Sequence, residues 1–177
     1  MNFLERLLGR GKDPTLKWKP FSPPIPDFDL TDMRFGSLRF GDGYEAAAFL
    51  GRPNRCEWMQ GCDCTLLYAS GGFEIGFDKD RLISIAFFIG PDELLPKDTA
   101  LEFAKPRLRG CTPDGVQLSP EVDQRFVEQL FGAAESIDAD ADETILFYTR
   151  EGVGMDFELD GKNGRLKRWN LYLKDVV

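Results

Sequence analysis

Histidine is missing from all 177 residues, and with it the usual proton shuttle of acid–base and nucleophilic catalysis and the commonest nitrogen ligand for zinc. The chain also has no P-loop, no G-x-G-x-x-G and no G-x-S-x-G, so it lacks the signatures of phosphate cradles and nucleophile elbows. Cysteine is scarce. Cys56, Cys62, Cys64 and Cys111 show no regular spacing that would mark a disulfide framework. Cys56, Cys62 and Cys64 are close enough in sequence to suggest a metal site, but without histidine or a C-x-x-C pair the expectation is no metal and no cofactor. Cys64 opens an apolar run and reads as a small buried hydrophobe. No stretch approaches the roughly 20 apolar residues that span a bilayer. The segment Met1 to Gly9 is short, is charged within its apolar part and has no small-residue cleavage site, so it does not read as a signal peptide. A cytoplasmic protein without a membrane span is expected.

Positive charge is in deficit: 22 Lys and Arg face 30 Asp and Glu, for a net charge of −8 and a pI near 4.7. Such a surface repels nucleic acid and anionic membranes, so the expected partner is another protein. A chain of this length forms one domain or two small ones, and burying roughly 70% of its extended surface is enough for a core without metals or disulfides.

Two stretches have the start and stop signals of short helices. Asp42 with Glu45 resembles a capping box ahead of Tyr44 to Leu50, and Gly51 followed by Pro53 ends that segment. Ser119 precedes Pro120, Val122, Phe126, Val127, Leu130 and Phe131 follow helical spacing, and Gly132 supplies the stop. After each candidate helix the pattern changes to strands. Cys64 to Ala69 matches Thr144 to Thr149, Phe73 to Phe77 matches Val153 to Phe157, and third strands begin at Arg81-Leu82 and Arg165-Leu166. Gly51 and Gly132 are 81 residues apart, and Tyr68 and Tyr148 are 80 apart, with the length differences falling in turns. Further strands are expected at Phe35 to Phe40, Arg55 to Met59, Val116 to Leu118 and Ser136 to Ala139. The spacing therefore predicts an α+β fold of two tandem helix-plus-antiparallel-meander units, which can share one extended sheet.

The expected organisation is an N-terminal helix and Pro-rich arm over 1–34, a first α+β unit over 35–90, a connector over 91–113 and a second unit over 114–177. In the N-terminal helix, Phe3, Leu4, Leu7 and Leu8 share one face that can dock on the body. The arm, with Pro14, Pro20, Pro23, Pro24 and Pro26, favours extended backbone that wraps the body. A short helix is expected around Asp98 to Lys105. The densest acidic run, Asp138, Asp140, Asp142 and Glu143, departs from the EF-hand order and reads as a solvated turn.

A helix ending in Leu50-Gly51-Arg52-Pro53 followed by a meander resembles the repeat of the beta-lactamase-inhibitor-protein-like and BamE-like group. The likeness covers residues 36–90 and 115–174 and rests on pattern and a few glycines. It implies action through protein surfaces, as an inhibitor or an assembly subunit, and it carries over no functional residue. The cysteines do not reproduce the disulfides of the inhibitor type, and the lipidated cysteine of the envelope type has no counterpart. The functional expectation is a non-catalytic protein-interaction or inhibitor/immunity-type module acting through its sheet surface, with Trp58, Tyr68, Tyr148, Trp169 and Tyr172 as candidate anchors. The alternative is a small-molecule-binding domain with a pocket between the units. Two carboxylates sharing a cleft at short separation would favour an enzyme.

Overall fold

The structure, a computed structural model, describes residues 13–22, 24–58, 63–92 and 101–174, with Trp58 described by its backbone alone. The N-terminal helix, Pro23, Met59, Cys62 and residues 98–100 of the expected connector helix lie outside the described residues.

Strands dominate, in two sheets. The smaller is built from β1 (Phe28–Asp29), β2 (Arg34–Phe35), β3 (Leu38–Arg39), β8 (Arg107–Arg109) and β9 (Val116–Gln117), in the order β3-β2-β1-β8-β9. The larger holds β4 (Arg55–Trp58), β5 (Cys64–Tyr68), β6 (Phe73–Asp78), β7 (Arg81–Phe88), β10 (Ser136–Ala139), β11 (Glu143–Arg150), β12 (Val153–Asp160) and β13 (Leu166–Leu173). Its order is β10-β11-β12-β13-β7-β6-β5-β4, and every pairing is antiparallel. Two four-stranded meanders thus join through β7 and β13.

This corrects the expected fold class. The chain is a mostly β protein with two sheets, not a tandem α+β array of helix-plus-meander units. The first expected helix, Tyr44–Leu50, is a 3-10 segment. Asp42, the expected cap, spends its carboxylate on the Arg39 amide at 2.8 Å, and Asp80 in the β6–β7 turn accepts from the Tyr44 amide at 2.9 Å instead. Gly43 occupies the cap with no side chain to offer, and a 3-10 winding suits such a short, poorly capped piece. The second expected helix shortens to α1 (Gln124–Phe131), the one α-helix among the described residues. Its cap is Asp123, which accepts from the Phe126 amide at 2.8 Å, and Ser119 instead donates to Glu121. Residues 101–106 are not helical.

The smaller sheet draws on the expected arm, the start of the expected first unit, the connector and, through β9, the start of the expected second unit. The Pro-rich arm is bound to the body: Pro20 bridges Arg52 in parallel, Trp18 stacks on Tyr44, and Phe21 packs edge-on against Tyr68 and Phe73.

The core lies between the sheets. Tyr68, Phe73, Phe87, Trp169, Phe157 and Leu146 stand opposite one another on six consecutive strands, a register that stacks their side chains into one row. Ring centroids are 4.6 Å apart for Tyr68–Phe73, 5.2 Å for Phe87–Trp169 and 5.8 Å for Phe157–Trp169. Phe28 and Phe35 of the smaller sheet meet this row edge-on, at 5.2 Å from Trp169 and 5.3 Å from Phe87. At one end of the row Tyr68 donates to the Gly51 carbonyl at 3.0 Å, and on β11, two residues beyond Leu146, Tyr148 donates to the Gly132 carbonyl at 3.1 Å. Gly51 sits at φ 89°, and a Cβ there would meet the Lys19 oxygen and Phe21 backbone at 2.8 Å, so only glycine fits between the 3-10 segment and the arm.

Candidate functional site

Because side chains alternate along a strand, the residues between those of the aromatic row point to the opposite face of the large sheet. There Glu74, Ala86, Asn170, Asp156 and Phe147 stand in register on β6, β7, β13, β12 and β11. One step along, Phe88, Arg168, Glu158 and Ile145 form a parallel row. Charged groups therefore collect where the two meanders join.

The geometry is close-knit. The Asn170 side-chain amide donates to Asp156 Oδ2 at 2.9 Å and to Glu158 Oε1 at 2.6 Å. Arg168 pairs with Glu158 at 3.6 Å and with Asp92 at hydrogen-bonding distance, and its guanidinium lies over the Phe88 ring, 5.7 Å from the centroid. Asp156 and Glu158 are each only 8% exposed. Asp156 Oδ1 and Arg168 Nε are buried with no protein partner. Burial pushes the Asp156 carboxyl up to about 6, against the pull of the Asn170 hydrogen bond, with the neighbouring Glu158 charge raising it further. Burial also raises Glu74, partly offset by Arg168. Burial and the Asp156 charge raise the Tyr172 phenol. A Cβ on Gly154 would lie 2.4 Å from the Tyr172 ring, so the glycine makes room for that ring to lie across β12.

The charge continues into a cleft of about 500 Å³ lined by Asp92, Asp140, Asp142, Glu143, Asp160 and Lys167 among others. Asp92 belongs to both places. A β-bulge opposite Glu158 and Leu159 makes Lys167 an extra residue of β13, and its ammonium bonds Glu143 at 3.1 Å. The acidic run itself forms a turn, in which Asp140 accepts from the Asp142 and Glu143 amides. Among the described residues no group of three or more Cys, Asp or Glu is arranged to hold a metal ion.

The residues singled out from the sequence are distributed differently. Tyr68 and Trp169 are fully buried and Tyr148 nearly so, all three in the aromatic core. Tyr172 is half-buried on the polar face beside Asp156, and Trp58 ends edge strand β4. Of these, Tyr68, Tyr148 and Trp169 face the core and Tyr172 the opposite side of the sheet, so these four do not come together as one surface. Asp156, Glu158, Asn170 and Arg168 were not singled out, because polar residues alternating with apolar ones read as a solvated strand face. The usable signal was a pair of carboxylates two apart on one strand and an Arg and Asn two apart on another.

Chemically, the cluster is a desolvated set of hydrogen-bond acceptors with one internal cation. Two carboxylates sharing one amide donor, one of them titrating near neutrality, can move a proton, but a group 8% exposed offers little room for a reacting atom.

Neither a protein-family model nor a curated protein sequence matches the chain. Among solved structures, the chain is similar to a DUF4309 family protein from Bacillus subtilis subsp. subtilis str. 168, at 16% identity and a TM-score of 0.46, over 81% of this chain and 88% of that one. It is also similar to an extracellular protein containing an SCP domain from Bacillus anthracis str. Ames, at 12% identity and a TM-score of 0.51. That match covers 89% of this chain but 49% of the other, about half its length, and it is a likeness of fold alone. Among the described residues no helix is long and apolar enough to cross a membrane.

Proposed function

We propose that the protein is a non-catalytic protein-interaction module, of inhibitor or immunity type, that works through the polar face of its large sheet, where the charge of Asp156 and Glu158 draws a basic segment of its partner. The observation that carries this reading is the pairing of two buried carboxylates on a single amide donor, with Asp156 Oδ1 left without a partner. Burying ionisable groups in the middle of a sheet lowers stability, and a cluster that accepts such a penalty is a candidate binding site. Asp156 and Glu158 are two carboxylates beside one guanidinium, Arg168, so this face favours a group that brings positive charge, and the net charge of −8 draws basic partners toward it.

The test is amide NMR with a lysine- and arginine-rich peptide. Its addition is expected to shift the Asn170 side-chain amide and the β12 and β13 backbone, to weaken with salt, and to lose effect in the Asp156→Asn, Glu158→Gln double variant. An equal response to a glutamate-rich peptide, or shifts confined to other parts of the sheet, would overturn the proposal.

A small-molecule-binding domain is the second reading, and the depth of Asp156 at the junction of the meanders favours it. A simple alkylamine that saturates the same resonances as tightly as the peptide would decide for it.

A further inference from the structure

A different pair of side chains, on the far side of the molecule from β10, is unused by the reading above. Cys56 on β4 and Cys64 on β5 are diagonal neighbours, Cys56 standing opposite Leu66 and Trp58 opposite Cys64, and their sulfurs are 3.8 Å apart. Both are free thiols; Cys56 is half-buried and Cys64 is 3% exposed. Cys56 also shares a hydrogen bond with the Asp13 carboxylate, which Thr15 holds through its amide and hydroxyl. A disulfide needs about 2.05 Å between sulfurs. Closing the gap therefore asks for side-chain rotation together with a shift of edge strand β4 against β5, because diagonal neighbours stand farther apart than directly opposed ones.

We propose that Cys56 and Cys64 form a site of reversible oxidation, closing an intrachain disulfide with a dissolved low-molecular-weight disulfide as oxidant, and that this crosslink fastens edge strand β4 to the sheet. The thiolate of Cys56, the less buried of the two, attacks one sulfur of the oxidant, forms a mixed disulfide and expels the other half as a thiolate. Cys64 then attacks the Cys56 sulfur and expels the second half. In sum the protein thiols lose two protons and two electrons, and the oxidant becomes two thiols. The hydrogen bond between the sulfurs holds the Cys64 thiol below its ordinary value and raises Cys56, so the first proton leaves Cys64, and Cys56 becomes the attacking thiolate by passing its own proton to the Cys64 sulfur 3.8 Å away. In the second step Cys64 gives up its proton to the expelled thiolate and attacks as a thiolate itself.

The location gives the crosslink an effect. β4 is the terminal strand of the large sheet and, among the described residues, pairs with β5 alone, so its hydrogen bonds open more readily than those at the centre. A bond between Cys56 and Cys64 closes a short loop across that pairing and opposes its opening.

The experiment is incubation of the whole chain with oxidised glutathione, followed by intact mass, fragment mapping and hydrogen exchange. The expected result is a mass lower by about 2 Da, a fragment joining Cys56 to Cys64, and Cys111 still open to alkylation, all reversed by dithiothreitol. Cys62→Ser should keep the linkage, and Cys56→Ser should abolish it. Amides of β4 should exchange about tenfold more slowly in the oxidised chain. A linkage made chiefly by Cys62 or Cys111, a glutathione adduct that stays on Cys56, zinc bound tightly enough by the thiols to block oxidation, or unchanged β4 exchange would each overturn the proposal. If Cys56→Ser fails to fold, the fragment map of the unaltered chain still decides.

Discussion

The two meanders of the large sheet, β4–β7 and β10–β13, use the same kind of hydrogen bond and dress it differently. In each, a tyrosine on the second strand reaches back to the carbonyl of a glycine, Tyr68 to Gly51 and Tyr148 to Gly132. In the first, the tyrosine is fully buried under Phe21 of the N-terminal arm, and the preceding segment is a 3-10 turn. In the second, an eight-residue α-helix supplies Phe131 as the cover. Their opposite faces diverge further: β12 and β13 carry Asp156, Glu158, Asn170 and Arg168, while β6 and β7 offer Glu74 and Ala86 in the matching row. The frame is set by core side chains, and the chemistry lies in the side chains that do not build the frame.

The largest test of that division is at the junction. Trp169→Ala removes a fully buried ring stacked between Phe87 and Phe157 and should cost about 4 kcal/mol, read by urea denaturation. If the meanders stabilise one another only weakly, unfolding of this variant will separate into two transitions instead of remaining cooperative.

On the polar face the expected sign is opposite. Asp156→Asn keeps an acceptor for Asn170 while removing a buried charge, and should raise stability by about 1 to 2 kcal/mol above pH 6. The raised carboxyl fixes the pH dependence. Below the ordinary value of 3.8 the group is neutral in folded and unfolded chains, and its burial carries no charge penalty. As the pH rises toward about 6 the unfolded chain has already released the proton that the folded chain retains, and stability declines. Thermal midpoints at several pH values should therefore fall across this window in the unaltered protein and fall less in the variant. A parallel decline in both would remove Asp156 from the account.

Smaller effects sharpen the comparison of the two tyrosines. Tyr68→Phe leaves the Gly51 carbonyl without its donor in a fully buried setting and should cost about 1.5 kcal/mol, whereas Tyr148→Phe, in a less buried setting, should cost about 1 kcal/mol. Smallest is the helix cap. Asp123→Ala should cost roughly 0.5 to 1 kcal/mol, and Asp42→Ala, at the position that does not cap, less than that. Equal losses at the two aspartates in chemical denaturation would show that the 3-10 segment is capped after all.

Most strands of the large sheet were legible because alternating side chains leave a period of two. Phe73-Glu74-Ile75 and Trp169-Asn170-Leu171 announce which residues face inward. The smaller sheet was legible only in part: strand was expected where β2, β3 and β9 lie, but β1 and β8 and the pairing that joins them were not, because pieces of two or three residues are too short for a period to show. The fold class failed for a related reason. A run such as Tyr44 to Leu50 has helical composition, but seven residues bounded by Gly43 and Gly51 gain too little from helical hydrogen bonds to outweigh the local partners that Asp80 and the arm provide. The aromatic anchors misled because a tyrosine or tryptophan is as useful in a core row as on a surface, and sequence does not say which.

By itself, the sequence determined the acidic charge, the absence of histidine chemistry, the alternation that makes strands, and the glycines that let Tyr68 and Tyr148 reach a carbonyl. Only tertiary structure decided that β7 pairs with β13, 84 residues apart at Ala86 and Asn170, because strand pairing is a long-range choice with no local signature. That one pairing aligns the aromatic row on one face and, on the other, brings Asp156, Glu158, Asn170 and Arg168 to the middle of the sheet, where neighbouring strands exclude the water that would otherwise have solvated them.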